Sequence, residues 1–279
     1  MEISGSALVT GASRGIGRAI ALELAKRGFR TVATMRHPAD GAALSSAAAG
    51  DLTVRALDVT DPTSCALPGD LRVLVNNAGI DTEYLPVEES NLDDWRALFE
   101  TNVIGVVGVT KEAIPILRAN SPSVICNITS SSILANVPFY SGYRASKAAV
   151  SAFGESLRVE VAASGIRVVE ILPGPIDTDM FRLSPGEPAA ARFAPYRPLA
   201  EVGVKLRQEV ADPLVSDPAD AASLIVDAIM DDGGPMRYGC DALSTGMLEL
   251  WRHSDDETIF ELTGRSLLDE VASRRSAPP

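Results

Sequence analysis

Positive charge is scarce in this chain: 25 Lys and Arg stand against 37 Asp and Glu, for a net charge of −12. A nucleic acid or an anionic membrane surface requires a basic face on its partner, so neither is expected. The same sign of charge disfavours an acidic carrier protein as the bearer of substrate. Cysteine is equally sparse: Cys65, Cys126 and Cys240 are odd in number and far apart, so neither a disulfide framework nor a CxxC metal site is expected. No long apolar run is present, and the longest uncharged stretch, 119–143, is too rich in Ser, Asn and Pro to span a bilayer. Residues 1–5 lead straight into a strand and leave no room for a signal peptide, so the expected compartment is the cytoplasm.

What is present is enough apolar material, 46% of 279 residues, for one substantial core, with no linker between two units. Short β-branched runs alternate with helical periodicity: Ser6–Thr10, Arg30–Met35, Thr53–Asp58, Leu71–Val75, Ser123–Ile128 and Arg167–Leu172 read as strands. That alternation predicts an α/β domain with a parallel sheet. Asn91, followed by two acids, opens a helix expected to run through Asn102 to about Leu117. The tract 41–50 holds enough alanine for another helix, whereas the span from Asp58 to Asn76 is short for one.

Two stretches carry chemistry. Thr10 passes into Gly11-Ala-Ser13-Arg14-Gly15-Ile16-Gly17 and then a helix, which places backbone N–H groups and a positive helix end where a pyrophosphate can bind. Tyr143 and Lys147 lie four apart on a helix, so the ammonium is a neighbour of the phenol and favours its ionised form. Ser130 closes the preceding strand, at the sheet edge where open α/β folds hold ligands. Tyr140 and Arg144 share the spacing, but an arginine cannot join a proton relay. Asp58, at the end of the third strand, can accept from an adenine amino group.

These motifs, in this order, resemble the short-chain dehydrogenases/reductases. The resemblance rests on TGASRGIG at 10–17, DVT at 58–60, NNAG at 76–79, Asn102, Ser130, YRASK at 143–147 and PGPIDT at 173–178, and extends to about residue 240. The GxxxGxG spacing is similar to the simple branch of that family rather than the epimerase branch. ATMR at 33–36 and the segment Met247–Trp251 resemble its hydroxysteroid and retinol dehydrogenase-like members. The resemblance implies a single Rossmann-type, doubly wound domain with a sheet of about seven strands and a nicotinamide cofactor. It assigns Tyr143 as acid/base, Ser130 as the donor to the substrate carbonyl, and Lys147 as the group that lowers the tyrosine and holds the ribose. Asn102 would anchor a water reaching Lys147.

On the same basis the cofactor is expected against Gly11, Ser13, Arg14, Gly15, Ile16 and Gly17, against Asp58 and Val59, and against Asn77, Ala78 and Gly79. Tyr143, Lys147, Pro173, Gly174, Ile176 and Thr178 complete its wall, with Thr178 on the carboxamide. Met35 stands where an acid would hold the free ribose of NAD, and Arg36 and Arg14 are expected to converge on the extra phosphate of NADP. The substrate is expected to be a largely apolar small molecule, lying against Ser130, Leu134, Phe139 and Tyr140 on one side. A lid at about 179–216, bearing Met180, Phe181 and Leu183, would close the other side. An extension at about 242–272 is expected to cover the substrate or pack a homodimer or homotetramer, and the tail 273–279 to be disordered. A redox sensor that binds the dinucleotide without turnover is the alternative reading; its mark would be a broken Asn-Ser-Tyr-Lys set, and that set is complete here.

Overall fold

The computed structural model describes residues 1–64, 66–182 and 188–276. Cys65 and Leu183 lie outside them. In chain order the elements are β1 (Ser6–Val9), α1 (Gly15–Lys26), β2 (Arg30–Met35), α2 (Ala42–Ala47), β3 (Leu52–Ala56) and β4 (Leu71–Asn76). Then come α3 (Leu92–Phe99), α4 (Gly105–Ala119), β5 (Ser123–Ile128), α5 (Ser141–Ala162) and β6 (Ile166–Leu172). The remainder comprises α6 (Asp179–Arg182), α7 (Arg197–Leu206), α8 (Pro218–Met230), β7 (Arg237–Gly239), α9 (Ala242–Arg252), α10 (Asp256–Phe260) and α11 (Ser266–Ser276). The described strands form one parallel seven-stranded sheet in the order β3-β2-β1-β4-β5-β6-β7.

Both faces of that sheet are covered, which is why its strands read as continuous apolar runs rather than alternating ones. Val9, Val75, Cys126 and Ile171 meet Ile20 and Leu24 of α1 and Ile225 and Ile229 of α8. Their chain neighbours Leu8, Leu74 and Ile125 point the other way, against Val109 and Leu117 of α4 and Leu157 and Val161 of α5. Successive residues of a strand face opposite sides, so apolar residues stand at both odd and even positions of the central strands. Strand order reverses between β1 and β4, and the crevice at their carboxyl ends is where open α/β sheets take ligands.

Several boundaries differ from the sequence expectation. The third strand stops at Ala56, so Asp58 lies beyond it, because its carboxylate turns back on Thr60 N at 3.0 Å and Thr60 Oγ1 at 2.8 Å. Between β3 and β4 the described residues hold only a 3-10 turn, Pro62–Ser64. The helix expected from Asn91 is interrupted by a π turn at Glu100–Ile104. Such a turn inserts one residue and re-aims the side chains around it, and Asn102 is thereby sealed in the interior. At the C-terminus α11 runs to Ser276, where a disordered tail was expected from 273; residues 277–279 lie outside the description. Lys205 of α7 pairs with Glu270 of α11 at 3.1 Å, and Asn136 N donates to Thr263 Oγ1 at 3.0 Å. The extension therefore lies over α7 and over the loop leading to Tyr143.

The short edge strand β7 is held by charge. Glu170 on β6 is 1% exposed and accepts from Thr129 Oγ1 at 2.8 Å, Ser151 Oγ at 2.9 Å and Arg237 Nε at 2.9 Å. Removing one partner of a buried pair strands the other charge, at a cost of about 3–5 kcal/mol. Arg237→Ala is therefore expected to lower the unfolding free energy by about that amount, read as a lower urea midpoint. A midpoint equal to wild type would show that the pair does not hold β7.

Candidate active site

The site begins with the ends of β1 and β4. Adjacent parallel strands diverge past their last ladder bond, and here side chains close the gap. Asn77 Nδ2 donates to Thr10 O at 2.9 Å and Gly11 O at 3.1 Å, while Thr10 Oγ1 accepts from Asn77 N at 2.9 Å and Ala78 N at 3.0 Å. Asn76 Nδ2 reaches Asn127 Oδ1 on β5 and Thr110 Oγ1 on α4, both at 2.9 Å. The glycines follow from this closeness. Gly11 has φ +66° and a Cβ there would stand 2.7 Å from Ala78 Cα; at Gly17 a Cβ would stand 2.3 Å from Asn77 Nδ2. No side chain caps the N-terminus of α1 and its first turn carries no acid, so its N–H groups and positive end are offered to an anion. Thr178 borders this turn, its Cγ2 3.3 Å from where a Cβ of Gly15 would lie. Ile16 packs on the core, half-buried, and Ser13 is half-buried beside it.

The π turn delivers Asn102 to the next segment. Its Oδ1 accepts from Ile80 N at 2.8 Å and its Nδ2 donates to Ile80 O at 3.0 Å and Ser146 Oγ at 3.1 Å. These three bonds engage both ends of the amide. A Cβ on Gly79 would lie 3.3 Å from Asn102 Oδ1 and 3.5 Å from Lys147 Nζ, so the bare glycine keeps an open surface beside the lysine. Lys147 is buried, and its Nζ donates to Ile128 O at 3.0 Å.

Ser130, Tyr143 and Lys147 come together as the spacing predicts. Ser130 caps the 3-10 turn Ser131–Leu134, accepting from Ser132 N at 3.2 Å, and its hydroxyl is hydrogen-bonded to Tyr143. Lys147 Nζ is 5.7 Å from the centroid of the Tyr143 ring. The electrostatics correct one expectation. Burial, with the charge of Asp81, pushes the Tyr143 phenol above its ordinary value, and the bond from Ser130 offsets this only in part. Burial also pulls Lys147 down to about 8, against the opposing charge of Asp81. The lysine does not lower the tyrosine in this arrangement, and the phenol keeps its proton at neutral pH.

The other expected contacts divide. Phe139 and Tyr140 line a small cavity at Tyr143, together with Asp81, Tyr84 and Trp95. Tyr84 stacks on Tyr140 with centroids 3.9 Å apart, narrowing the cavity to about 20 Å³, space for one water. Phe139 has φ +68°, a strained conformation for a bulky side chain and one that accumulates at functional sites. Leu134 instead packs into a core patch with Leu172 and Leu248. Met180 is exposed, and Phe181 lies under the guanidinium of Arg207, 4.3 Å from ring to Cζ; neither lines the cavity. Arg14 pairs with Asp179 at 3.4 Å on the surface, and Arg36 is exposed at the end of β2. Arg36 lies near enough to Asp58 to help hold that carboxyl below its usual range, after the two bonds from Thr60. Val59 is buried against Gly105.

Pro173 and Gly174 leave β6 beside this site, with Ser131 N donating to Pro173 O at 2.9 Å. Ile176 is buried and bridges to Ser216. Sequence reasoning missed what holds that loop. Buried Asp241, the cap of α9, accepts from Gly174 N at 2.7 Å, Ser244 N at 2.9 Å and Ser244 Oγ at 2.7 Å. Its cap position ahead of an apolar helix was the available signal. Asp81 and Tyr84 were also missed, since nothing in their spacing places them beside Tyr143.

A family described as short chain dehydrogenase matches residues 6–187, the span that contains the glycine turn, Asn102, Ser130, Tyr143 and Lys147. The chain belongs to the short-chain dehydrogenase family. It is 36% identical over 241 residues to cis-4-hydroxycyclohexanecarboxylate dehydrogenase of Sinomonas cyclohexanicum, covering 82% of this chain and 95% of that one. The crystal structure of a short-chain dehydrogenase from Streptomyces avermitilis superposes over all of both chains with a TM-score of 0.74 and 30% identity. A short-chain dehydrogenase from Burkholderia cenocepacia, solved in complex with NADP, shares the fold at a TM-score of 0.72 and 24% identity, covering 94% and 98% of the two chains. As a member of this family the chain is an oxidoreductase. Among its described residues no helix is long and apolar enough to cross a membrane.

The titration of Lys147 makes this site testable without substrate. Its pKa falls from 10.5 in the unfolded chain to about 8 in the folded one, so between those values the unfolded chain binds more protons. The lysine's contribution to stability thus rises with pH from about 8 to 10.5, by at most about 1.4 kcal/mol per pH unit. Urea unfolding of wild type and Lys147→Met across that window should give a difference that climbs in favour of wild type. A flat difference would mean that the lysine is solvated.

Proposed function

We propose that this chain is an NADP(H)-dependent dehydrogenase/reductase acting on a carbonyl or secondary alcohol of a small molecule whose body is largely apolar. The observation that carries the reading is the convergence, at one edge of the sheet, of an acid-free glycine turn with Ser130, Tyr143 and Lys147. The residues present fit a dinucleotide: Gly11 and Gly17 sit where a Cβ would collide, and the open N-terminus of α1 suits a pyrophosphate. The Burkholderia relative's NADP complex supports a nicotinamide as that ligand.

In this reading the α1 N-terminus and the glycine turn hold the pyrophosphate, Lys147 the ribose, and Thr178 with the Pro173–Ile176 loop the carboxamide. When bound, a nicotinamide supplies hydride to a carbonyl carbon or accepts it from a carbinol carbon. Tyr143 gives its proton to the substrate oxygen in reduction and takes it back in oxidation. The Ser130 hydroxyl donates to the same oxygen and offsets the negative charge that develops there. A phenol held above its ordinary pKa is protonated at neutral pH, the form that donates in reduction. Tyr84, Tyr140, Phe139 and Trp95 exclude water and offer apolar surface to the body of the substrate.

Tyr143→Phe is expected to retain NADPH binding while turnover of a ketone falls by about 10²–10⁴-fold, the usual worth of a general acid. Reduction at near wild-type rate would remove Tyr143 from this role.

Preference for NADPH over NADH rests on Met35, which offers no carboxylate, and on Arg36, exposed beside it. Fluorescence titration of both cofactors should show tighter NADPH binding by wild type. Arg36→Ala should weaken it by about one to two orders of magnitude, the loss of one charged hydrogen bond. Equal or tighter NADH binding by wild type would overturn the preference.

A further inference from the structure

We propose that the substrate bears an ammonium group, which Asp81 and the ring faces of Tyr84 and Tyr140 take up beside the Tyr143 phenol. The proposal rests on the dehydrogenase reading above and narrows its substrate class. Asp81 is fixed from behind: the residue before it, Ile80, is bonded at both N and O by the Asn102 amide, so the carboxylate is presented from a rigid backbone. It forms part of the wall of the same cavity as Tyr143. Thr82 N donates to its Oδ1 at 2.9 Å and the Tyr84 hydroxyl donates to its Oδ2. Of these two donors, Thr82 N is backbone, whereas the Tyr84 hydroxyl is a side-chain group that a ligand N–H can replace.

Asp81 makes no salt bridge among the described residues. Lys147, which acts on it by charge, spends one donor on Ile128 O, and burial still raises Asp81 above its ordinary value despite the bonds it receives. Glu83, also in the wall, is matched by Arg192 at 2.8 Å. Among the described residues no Lys, Arg or His lines the cavity, so a substrate carboxylate would meet repulsion and no partner. An ammonium there gains a charged hydrogen bond to Asp81 and the negative faces of the rings around it. With only about 20 Å³ open, the ligand must part the Tyr84–Tyr140 stack, and its N–H then takes the place of the Tyr84 hydroxyl on Oδ2.

The test is calorimetric titration of the full chain with benzylamine, benzyl alcohol and benzoate, three probes of one shape and different charge. Wild type is expected to bind benzylamine about tenfold or more tighter than benzyl alcohol and to bind benzoate weakest. Asp81→Asn preserves the shape and should abolish the advantage of benzylamine over benzoate. Equal binding of the three probes, no binding of benzylamine, or an unchanged order in Asp81→Asn overturns the proposal. Should Asp81→Asn fail to fold, Tyr84→Phe decides: with the competing hydroxyl gone from Asp81, benzylamine should bind severalfold tighter, and no gain overturns the proposal. NADPH titration of the wild type separates the two readings. Failure to bind NADPH counts against the dehydrogenase, whereas the order of the three probes and its loss in Asp81→Asn bear on the ammonium site.

Discussion

Beyond the last ladder bond of a parallel sheet the strands part, and the backbone groups exposed there must find partners or be solvated. In this protein side-chain amides and one hydroxyl fill that gap. Asn77 and Thr10 join β1 to β4, Asn76 joins β4 to β5 and α4, and Asn102 bonds both backbone groups of Ile80. These bonds hold the crevice at the switch point open and its walls in place. The glycine turn can stay bare because Asn77 lies against it, and Asp81 is presented to the cavity because Asn102 has fixed the residue before it. Opposite them, Asp241 reaches from the start of α9 to Gly174 and holds the loop that follows β6.

Low dielectric then determines what the enclosed groups do. A phenol and a carboxylate line a cavity with room for one water, an ammonium is buried behind the phenol, and each is driven toward its neutral form by loss of solvent. Proximity of Lys147 to Tyr143 would by itself favour the phenolate, but the burial of both outweighs it. The protonated phenol is the form that donates to a carbonyl oxygen. Asp81 acts in the same direction by placing negative charge near the ring. The π turn matters here as well: a regular helix would point Asn102 elsewhere, and the segment carrying Asp81 would lose both bonds at Ile80.

Much of this was legible in the chain. The β-branched runs, the glycine turn, the Tyr143–Lys147 spacing and Ser130 at a strand end all depend on residues close in sequence, where periodicity and turn chemistry govern conformation. Strand ends were less legible. Asp58 was read as part of β3 because its side-chain bonds to Thr60 compete with the ladder, a choice that composition does not reveal. The orientation of long side chains was not legible at all. Arg14 turned to Asp179, 165 residues away, and Phe181 to Arg207.

The sequence by itself determined an α/β domain, its strand, glycine turn and helix, and the placing of Tyr143 one helical turn from Lys147, because each of these is written in spacing within one or two neighbouring elements. Only the tertiary structure decided which charges share the cavity and in which direction the phenol titrates. Asp81 and Tyr84, from the segment after β4, meet Tyr143 of α5 in the wall of one cavity, and Asp241 reaches Gly174 across 67 residues. Burial is a property of that packing, and it is burial that sets the proton on Tyr143.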